Sequence, residues 1–272
     1  MEKRFVAIWF RYLKTDWFAR RQPSSKQHPF VLAAPDHGRM VITDGNAKAE
    51  SLGIFRGMTV ADARALYPSL KFMDDQPALP QKLLKALGEW CIRYSPFVSI
   101  DFPDGLVIDA TGCAHLCNGE EAYITDIHQR LHQFGYTVQL AMADTVGASW
   151  AFARYGEGKM VIKKGDHPSA ILSLPAAAIR PEKETLERLQ KLGLHRVNDF
   201  ISIPRTSLRR RFGTDFIKKI NLVLGAEEEI LQPVVPLTPY AERFPCFEPI
   251  ITRTGIEMAL QQLLETICTR LQ

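Results

Sequence analysis

Over the first 165 residues, apolar positions fall into short strand-like runs separated by segments with helical spacing. Phe5-Val6-Ala7-Ile8-Trp9-Phe10 is an apolar run flanked by Glu2-Lys3-Arg4 and by a polar stretch from Lys14, the pattern of a buried strand over about 4–10. A helix carrying Trp17-Phe18-Ala19-Arg20-Arg21 follows, then extended segments near 29–34 and 39–43. Two short helices are joined by Leu52-Gly53-Ile54-Phe55-Arg56-Gly57-Met58-Thr59, with Gly53 as a C-cap and Thr59 as the N-cap of a helix over 60–66 that Pro68 ends. The spacing of Leu83, Leu84, Leu87, Trp90 and Cys91 predicts an amphipathic helix over about 80–94. Two strands, 97–101 and 106–109, flank the turn signal Pro103-Asp104-Gly105. A helix near 119–134, a strand over 137–143, a helix near 145–155 and a short strand at 159–163 complete the segment. This order describes an α+β layer, a mainly antiparallel sheet with helices on one face.

From about 166 the strand signal disappears, and short helical pieces separated by Gly and Pro run to about 225. Leu231–Pro239 holds Pro233, Pro236 and Pro239 and reads as an extended linker. Beyond it, 243–251 has strand character. Residues 255–271 have helical spacing through Ile256, Leu260, Leu263, Leu264 and Ile267, so the leucines of Gln261-Gln262-Leu263-Leu264 serve packing. One strand and one helix cannot bury a core, so a truncated third domain is expected here.

The 272 residues suffice for one large or two to three small domains, and 46% hydrophobic content supplies a sizeable core. Five cysteines (Cys91, Cys113, Cys117, Cys246, Cys268) form an odd, scattered set, which favours free thiols in a reducing cytoplasm over a disulfide framework. No apolar run is long enough for a membrane span, and no secretory signal is visible at the N-terminus.

The net charge of +4 says little by itself; its distribution says more. Residues 180–220 carry eleven Lys/Arg against five Asp/Glu, a surplus of six, which leaves the rest of the chain slightly acidic. Inside this segment, Leu189–Phe200 reads as helix, tight turn at Gly193, helix. Such a hairpin can point backbone N–H groups at a phosphate, with cations nearby. Gly193, Arg196, Arg205, Arg209, Arg210, Arg211, Lys218 and Lys219 are the candidate DNA-backbone contacts; the plain alternative is a helical domain with a solvated basic face. Cys113-Ala114-His115-Leu116-Cys117 has no second ligand pair at matching distance and reads as a packed turn, not a zinc site. Asp101, Asp104 and Asp109 cluster on the proposed hairpin. With no third carboxylate on the first strand, where Trp9 and Arg11 stand, they read as turn and structural residues, and no metal is expected. The histidines have no nucleophile at recognisable spacing, so no hydrolase triad is proposed.

Taken together, these segments resemble the Y-family (UmuC/DinB-like) translesion DNA polymerases, and within them the ImuB-like branch. Phe5–Leu13 resembles the first palm strand, Leu52–Thr59 the fingers motif, and Ser99-Ile100-Asp101 the second catalytic motif. Lys191–Leu194, Pro204-Arg205 and Arg211-Phe212-Gly213 resemble the thumb, and Leu106–Leu116 the stretch typical of the branch. The resemblance implies a palm over 1–12 and 77–165, fingers over 13–76, a helical thumb with a helix-hairpin-helix over 166–230, a linker over 231–242 and the start of a little finger over 243–272.

The departures matter most. Active members carry an acidic residue where this chain has Trp9, and often another at Arg11. Their second motif is Asp-Glu; here Asp101 precedes Phe102, or, in the alternative alignment, Asp104 precedes Gly105. The Tyr and Arg that clamp the incoming triphosphate are replaced by Ala47 and Glu50, while Tyr12 keeps the aromatic position that screens the sugar. The expectation is therefore a catalytically inactive, DNA-binding adaptor of a mutagenic complex in DNA-damage tolerance, with Trp9, Arg11, Asp101 and Phe102 as degenerate positions. The indole of Trp9 is expected to fill the metal space near Asp101. No cofactor is expected; Mg²⁺ enters only if an active polymerase with rearranged ligands is the better reading. A protein-interaction scaffold without DNA binding is the other alternative. The resemblance further implies a sliding clamp, an error-prone replicative-type polymerase and a RecA-like protein as partners, bound through segments beyond the little finger and so outside this chain.

Overall fold

The computed structural model describes residues 3–156, 158–235, 242–246 and 248–271. The chain divides after Val234 into two compact units, residues 1–234 and 235–272.

The first unit begins with β1 (Phe5–Phe10), α1 (Leu13–Arg21), β2 (Phe30–Asp36), β3 (Arg39–Gly45), α2 (Ala47–Ser51), α3 (Val60–Leu66) and β4 (Lys71–Asp74). It continues with α4 (Leu79–Cys91), β5 (Val98–Asp101), β6 (Gly105–Asp109), α5 (Glu120–Gln133), β7 (Val138–Ala143), α6 (Val146–Tyr155) and β8 (Lys159–Val161). The helical run is α7 (His167–Ala170), α8 (Lys183–Lys191), α9 (Asn198–Ile201) and α10 (Arg205–Leu224).

Five strands form the larger sheet in the order β5-β6-β1-β7-β8, antiparallel except for the parallel pair β7–β8. The first apolar run thus becomes the central strand. On one face Val6, Ile8 and Phe10 pack with Leu13 of α1, Leu84 and Leu87 of α4, and Ile124, Ile127 and Leu131 of α5. On the other face Ala7, Ala141 and Ala143 pack with Ala148, Ala151 and Phe152 of α6. Helices therefore cover both faces, not the single face expected. The reason is visible in β1 and β7: nearly every position is buried, as in a strand with no solvent side. The small side chains on the α6 face let that helix lie close.

The smaller sheet has the order β3-β2-β4, with β4 parallel to β2. β4 escapes sequence reading because Lys71-Phe72-Met73-Asp74 is short, half charged and mostly exposed, the usual make-up of an edge strand. Asn46 and Thr59 cap α2 and α3 through side-chain bonds from the N–H groups of Ala49 and Asp62.

The helical run shares the α6-side core through Leu189, Phe200, Leu208, Phe212, Phe216 and Ile220. Gly213 (φ +86°) divides α10 into two helical halves, a backbone region that other residues rarely adopt. Residues 232–234 run along the free edge of β5: Val234 N–H donates to Val98 O (2.6 Å) and Ser99 Oγ donates to Gln232 O (2.7 Å). All five cysteines are free thiols.

In the second unit, α11 (Arg253–Leu271) forms where helical spacing predicts it. The strand expected over 243–251 does not form among the described residues 243–246 and 248–251, and position 247 lies outside them. A strand exists only by pairing, and the described residues of this unit offer it no edge. Met258, Leu260 and Leu264 of α11 are exposed.

Candidate functional site

β1 ends at the β5–β6 hairpin, where Trp9 stands opposite Gly105. Asp101 closes β5 and Asp104 lies in the turn. α6 brings Trp150 and Arg154, four residues apart and hence on one helix face, over these two carboxylates. One nitrogen of Arg154, Nη2, donates to Asp101 Oδ2 (2.9 Å) and Asp104 Oδ1 (2.8 Å). Trp150 Nε1 donates to Asp101 Oδ2 (2.7 Å), and Trp9 Nε1 donates to Asp104 Oδ2 (3.0 Å). The Arg154 guanidinium lies 4.6 Å from the Trp150 ring and 5.4 Å from the Trp9 ring. Arg180 completes the cluster: its guanidinium is 5.0 Å from Trp150, 3.9 Å from Asp101 and 2.7 Å from Glu229. Its backbone is left-handed (φ +55°), an uncommon conformation for a non-glycine residue and one that aims the side chain into this site.

Trp9 therefore bonds Asp104, not Asp101, and Asp104 turns to the indole and the guanidinium instead of serving the turn. Asp109 is structural, accepting from Thr111 N–H (3.0 Å). Phe102 is 63% exposed. Divalent magnesium needs several hard oxygen ligands in a near-octahedral set. This site offers two carboxylates already held by a cation, beside an indole that can only donate. The donor set does not fit the ion. Among the described residues no group of three or more His, Cys, Asp or Glu side chains converges on a common point.

A second cluster joins the β1–α1 corner to α2. Arg11 Nη2 donates to Glu50 Oε1 (2.7 Å), and the Tyr12 hydroxyl donates to Glu50 Oε2. Burial and the bond to Glu50 push the Tyr12 phenol up to about 12. The Tyr12 hydrogen bond holds the Glu50 carboxyl below its ordinary value, outweighing burial. The bond to Glu50 raises Arg11 further. Glu50, marked in the sequence only as a lost clamp residue, thus has a role of its own: it ties two segments of the first unit together.

The helical hairpin forms, with Gly193 at φ +75° in its turn. Its amides, expected to point at a phosphate, do not: those of residues 192–197 are all used inside the chain. His195 and Arg196 N–H donate to Asp199 Oδ2 (2.9 and 2.8 Å). Those of Leu192, Gly193, Leu194 and Val197 go to backbone carbonyls. Asp199, the second residue of α9, reaches back to the turn as a helix-capping acid does. The cations remain. Arg196, Arg209, Arg210, Arg211 and Lys218 are exposed, and Arg205 and Lys219 half-buried. None of these seven forms an ion pair among the described residues. Leu208 and Phe212 are buried, so Arg209 and Arg211 flank the buried stripe while Arg210 points away from it. Gly213 separates these arginines from Lys218 and Lys219.

Sequence reading missed Arg154, Trp150 and Arg180. The signal was present for the first two, whose spacing of four on a helix places them together. Nothing local marks Arg180.

The chain is 40% identical over 221 residues to "Protein ImuB" of Caulobacter vibrioides, covering 81% of this chain and 48% of that protein. It is 26% identical over 200 residues to "DNA polymerase IV" of Moorella thermoacetica, covering 70% and 49%. The chain thus spans about half the length of these curated relatives. Among solved structures, DinB from Sulfolobus solfataricus superposes with a TM-score of 0.70 at 18% identity over 85% of this chain and 69% of that one. An insertion ternary complex of Dbh DNA polymerase gives 0.72 at 17% identity, over 84% and 69%. No helix among the described residues is long and apolar enough to cross a membrane. With the impB/mucB/samB family model matching residues 8–154, the span that holds β5, β6, β7, Trp9, the two aspartates and Arg154, the chain belongs to the impB/mucB/samB family and has a Y-family polymerase fold.

Proposed function

We propose that this chain is a polymerase-shaped scaffold that does not transfer nucleotides and that binds the DNA backbone in damage tolerance. The observation that carries this reading is the double hydrogen bond from Arg154 Nη2 to Asp101 and Asp104. Phosphoryl transfer relies on metal ions that position the phosphates and neutralise their charge. Here a guanidinium fixed in the protein neutralises the palm carboxylates instead. Glu50, at the position where the resemblance places a triphosphate-clamping Arg, neutralises Arg11. Both changes remove the means of holding a metal-bound triphosphate.

DNA contact rests on the unpaired thumb cations, Arg196, Arg205, Arg209, Arg210, Arg211, Lys218 and Lys219, and not on the hairpin amides. Binding is therefore weak, sequence-independent and salt-sensitive. The resemblance supports assembly with a sliding clamp, an error-prone polymerase and a RecA-like protein.

Primer extension with Mg²⁺ or Mn²⁺ tests the first half; no incorporation is expected. Incorporation abolished by Asp101→Ala would overturn it. A gel shift of duplex DNA at two salt concentrations tests the second half. Changing Arg209, Arg210 and Arg211 to Ala weakens binding and lowers the salt slope by up to about three, near one per lost phosphate contact. Unchanged binding places the DNA on another surface.

A further inference from the structure

We propose that α1, the end of α4 and the α5–β7 turn form a docking surface for an acidic segment of a partner protein. This surface lies on the α1–α4–α5 face of the larger sheet, while Trp9 packs into the core on the other face. Three arginines there each rest on an aromatic ring. The Arg21 guanidinium is 4.0 Å from the Trp17 ring, Arg20 is 4.9 Å from Tyr136, and Arg93 is 4.5 Å from Trp90. The patch is continuous. Trp90 and Phe134 lie edge to face at 5.0 Å, and the next residue, Gly135, lies so close to Arg20 that a Cβ would sit 3.0 Å from its Cγ. Trp17, Arg20 and Arg21 share one turn of α1.

Among the other arginines that lie over rings, Arg11, Arg154 and Arg180 each hold a carboxylate. Arg64 and Arg188 hold none among the described residues, but each lies over a phenylalanine; the three here lie over the tryptophans and tyrosine of one patch. Arg20, Arg21 and Arg93 are exposed, and none forms an ion pair among the described residues. The one acid on this stretch of α1, Asp16, turns inward and accepts from Thr137 N–H (2.6 Å). Arg93 Nε donates to Trp90 O (3.0 Å), which leaves its Nη groups for a partner. Stacking on a ring fixes the guanidinium plane, which lowers the ordering cost of gripping a carboxylate. Phe134, 38% exposed between them, offers an apolar contact. Clustered Trp, Tyr and Arg are the residues that dominate protein–protein binding energy.

A single-stranded nucleic acid fits less well. Its affinity comes largely from bases stacking on open aromatic faces. Here a guanidinium covers one face of each ring, and Phe18 and Phe134 pack against Trp17 and Trp90.

The test measures fluorescence anisotropy of three labelled probes with the full chain: a peptide of alternating Glu and Leu, its Gln–Leu counterpart, and oligo(dT). The Glu–Leu peptide binds and the Gln–Leu peptide does not. Changing Arg20, Arg21 and Arg93 together to Gln weakens peptide binding by about tenfold or more, with circular dichroism and melting unchanged. The triple Ala change at Arg209, Arg210 and Arg211 leaves peptide binding intact, so failure here is separable from failure of the thumb reading. Equal binding of the two peptides overturns the proposal. So does full peptide binding by the Gln variant, or oligo(dT) binding that depends on the three arginines while the acidic peptide does not bind.

Discussion

Replacing Arg154 by Met probes the carboxylate pair directly. The arginine side chain is 12% exposed, and methionine keeps its apolar contact with the two indoles while removing the charge. Because one nitrogen reaches both carboxylates, their nearest oxygens lie within about 6 Å, a separation at which two unit charges repel by about 3 kcal/mol at an effective dielectric of ~20. The Asp101 and Asp104 side chains are 21% and 33% exposed. Solvent screening, with Arg180 still near Asp101, reduces the expected loss to about 2 kcal/mol. For a chain of this size that lowers the melting midpoint by about 4–8 °C. Adding Asp101→Asn to the Arg154→Met chain removes the repulsion and recovers most of the loss, a coupling of about 1–2 kcal/mol in a double-mutant cycle. Scanning calorimetry of the four proteins reads this out. The reasoning is refuted if Arg154→Met melts with the parent, or if the second substitution subtracts further stability as though the sites were independent.

Gly147 sits where α6 meets α10; a Cβ there would lie 2.7 Å from Val223 Cγ2 and 2.9 Å from its Cα. Gly147→Ala therefore costs about 1–3 kcal/mol by forcing the helices apart, measured by urea unfolding, and a neutral result would mean the contact is looser than it stands. Asp144 ends the larger sheet beside Arg4 (2.6 Å) and His167 (3.1 Å). Burial alone would raise its carboxyl, but the Gly165 N–H and Arg4 outweigh burial and hold it below its ordinary value. A carboxyl lowered on folding stabilises fully above the unfolded value of ~3.9 and loses that contribution as pH falls through the folded one. Asp144→Asn thus costs about 2 kcal/mol at pH 7, a gap that closes in strong acid; a gap that persists at the lowest pH contradicts the ion-pair account.

Most helices and strands of the first unit were legible because their periodicity agrees with their capping and turn residues. Thr59, Asn46 and the Pro103-Asp104-Gly105 turn act through local rules, which a sequence displays. The second helical layer was hidden because Ala7, Ala141 and Ala143 look like filler until α6 is seen lying on them. At the candidate site, the sequence marked Trp9 and Arg11 where the resemblance leads one to expect acids, but not the groups that hold Asp101 and Asp104. Arg180 reaches Asp101 across 79 positions of chain, and no local pattern encodes that approach. The hairpin shows the reverse case. Its turn was recognisable, yet Asp199, a polar residue of no special note in the sequence, takes the amides that would have met a phosphate.

The grip of Arg154 on both aspartates also limits which substitutions the site accepts. Introducing an acid at Trp9 alone would break the indole bond to Asp104 and add a third anion beside two carboxylates that already share Arg154 Nη2. Removing Arg154 first would leave two anions facing each other. Either first step loses stability. A further acid beside these two aspartates is therefore tolerated only together with a change at Arg154 or Trp9 that offsets it.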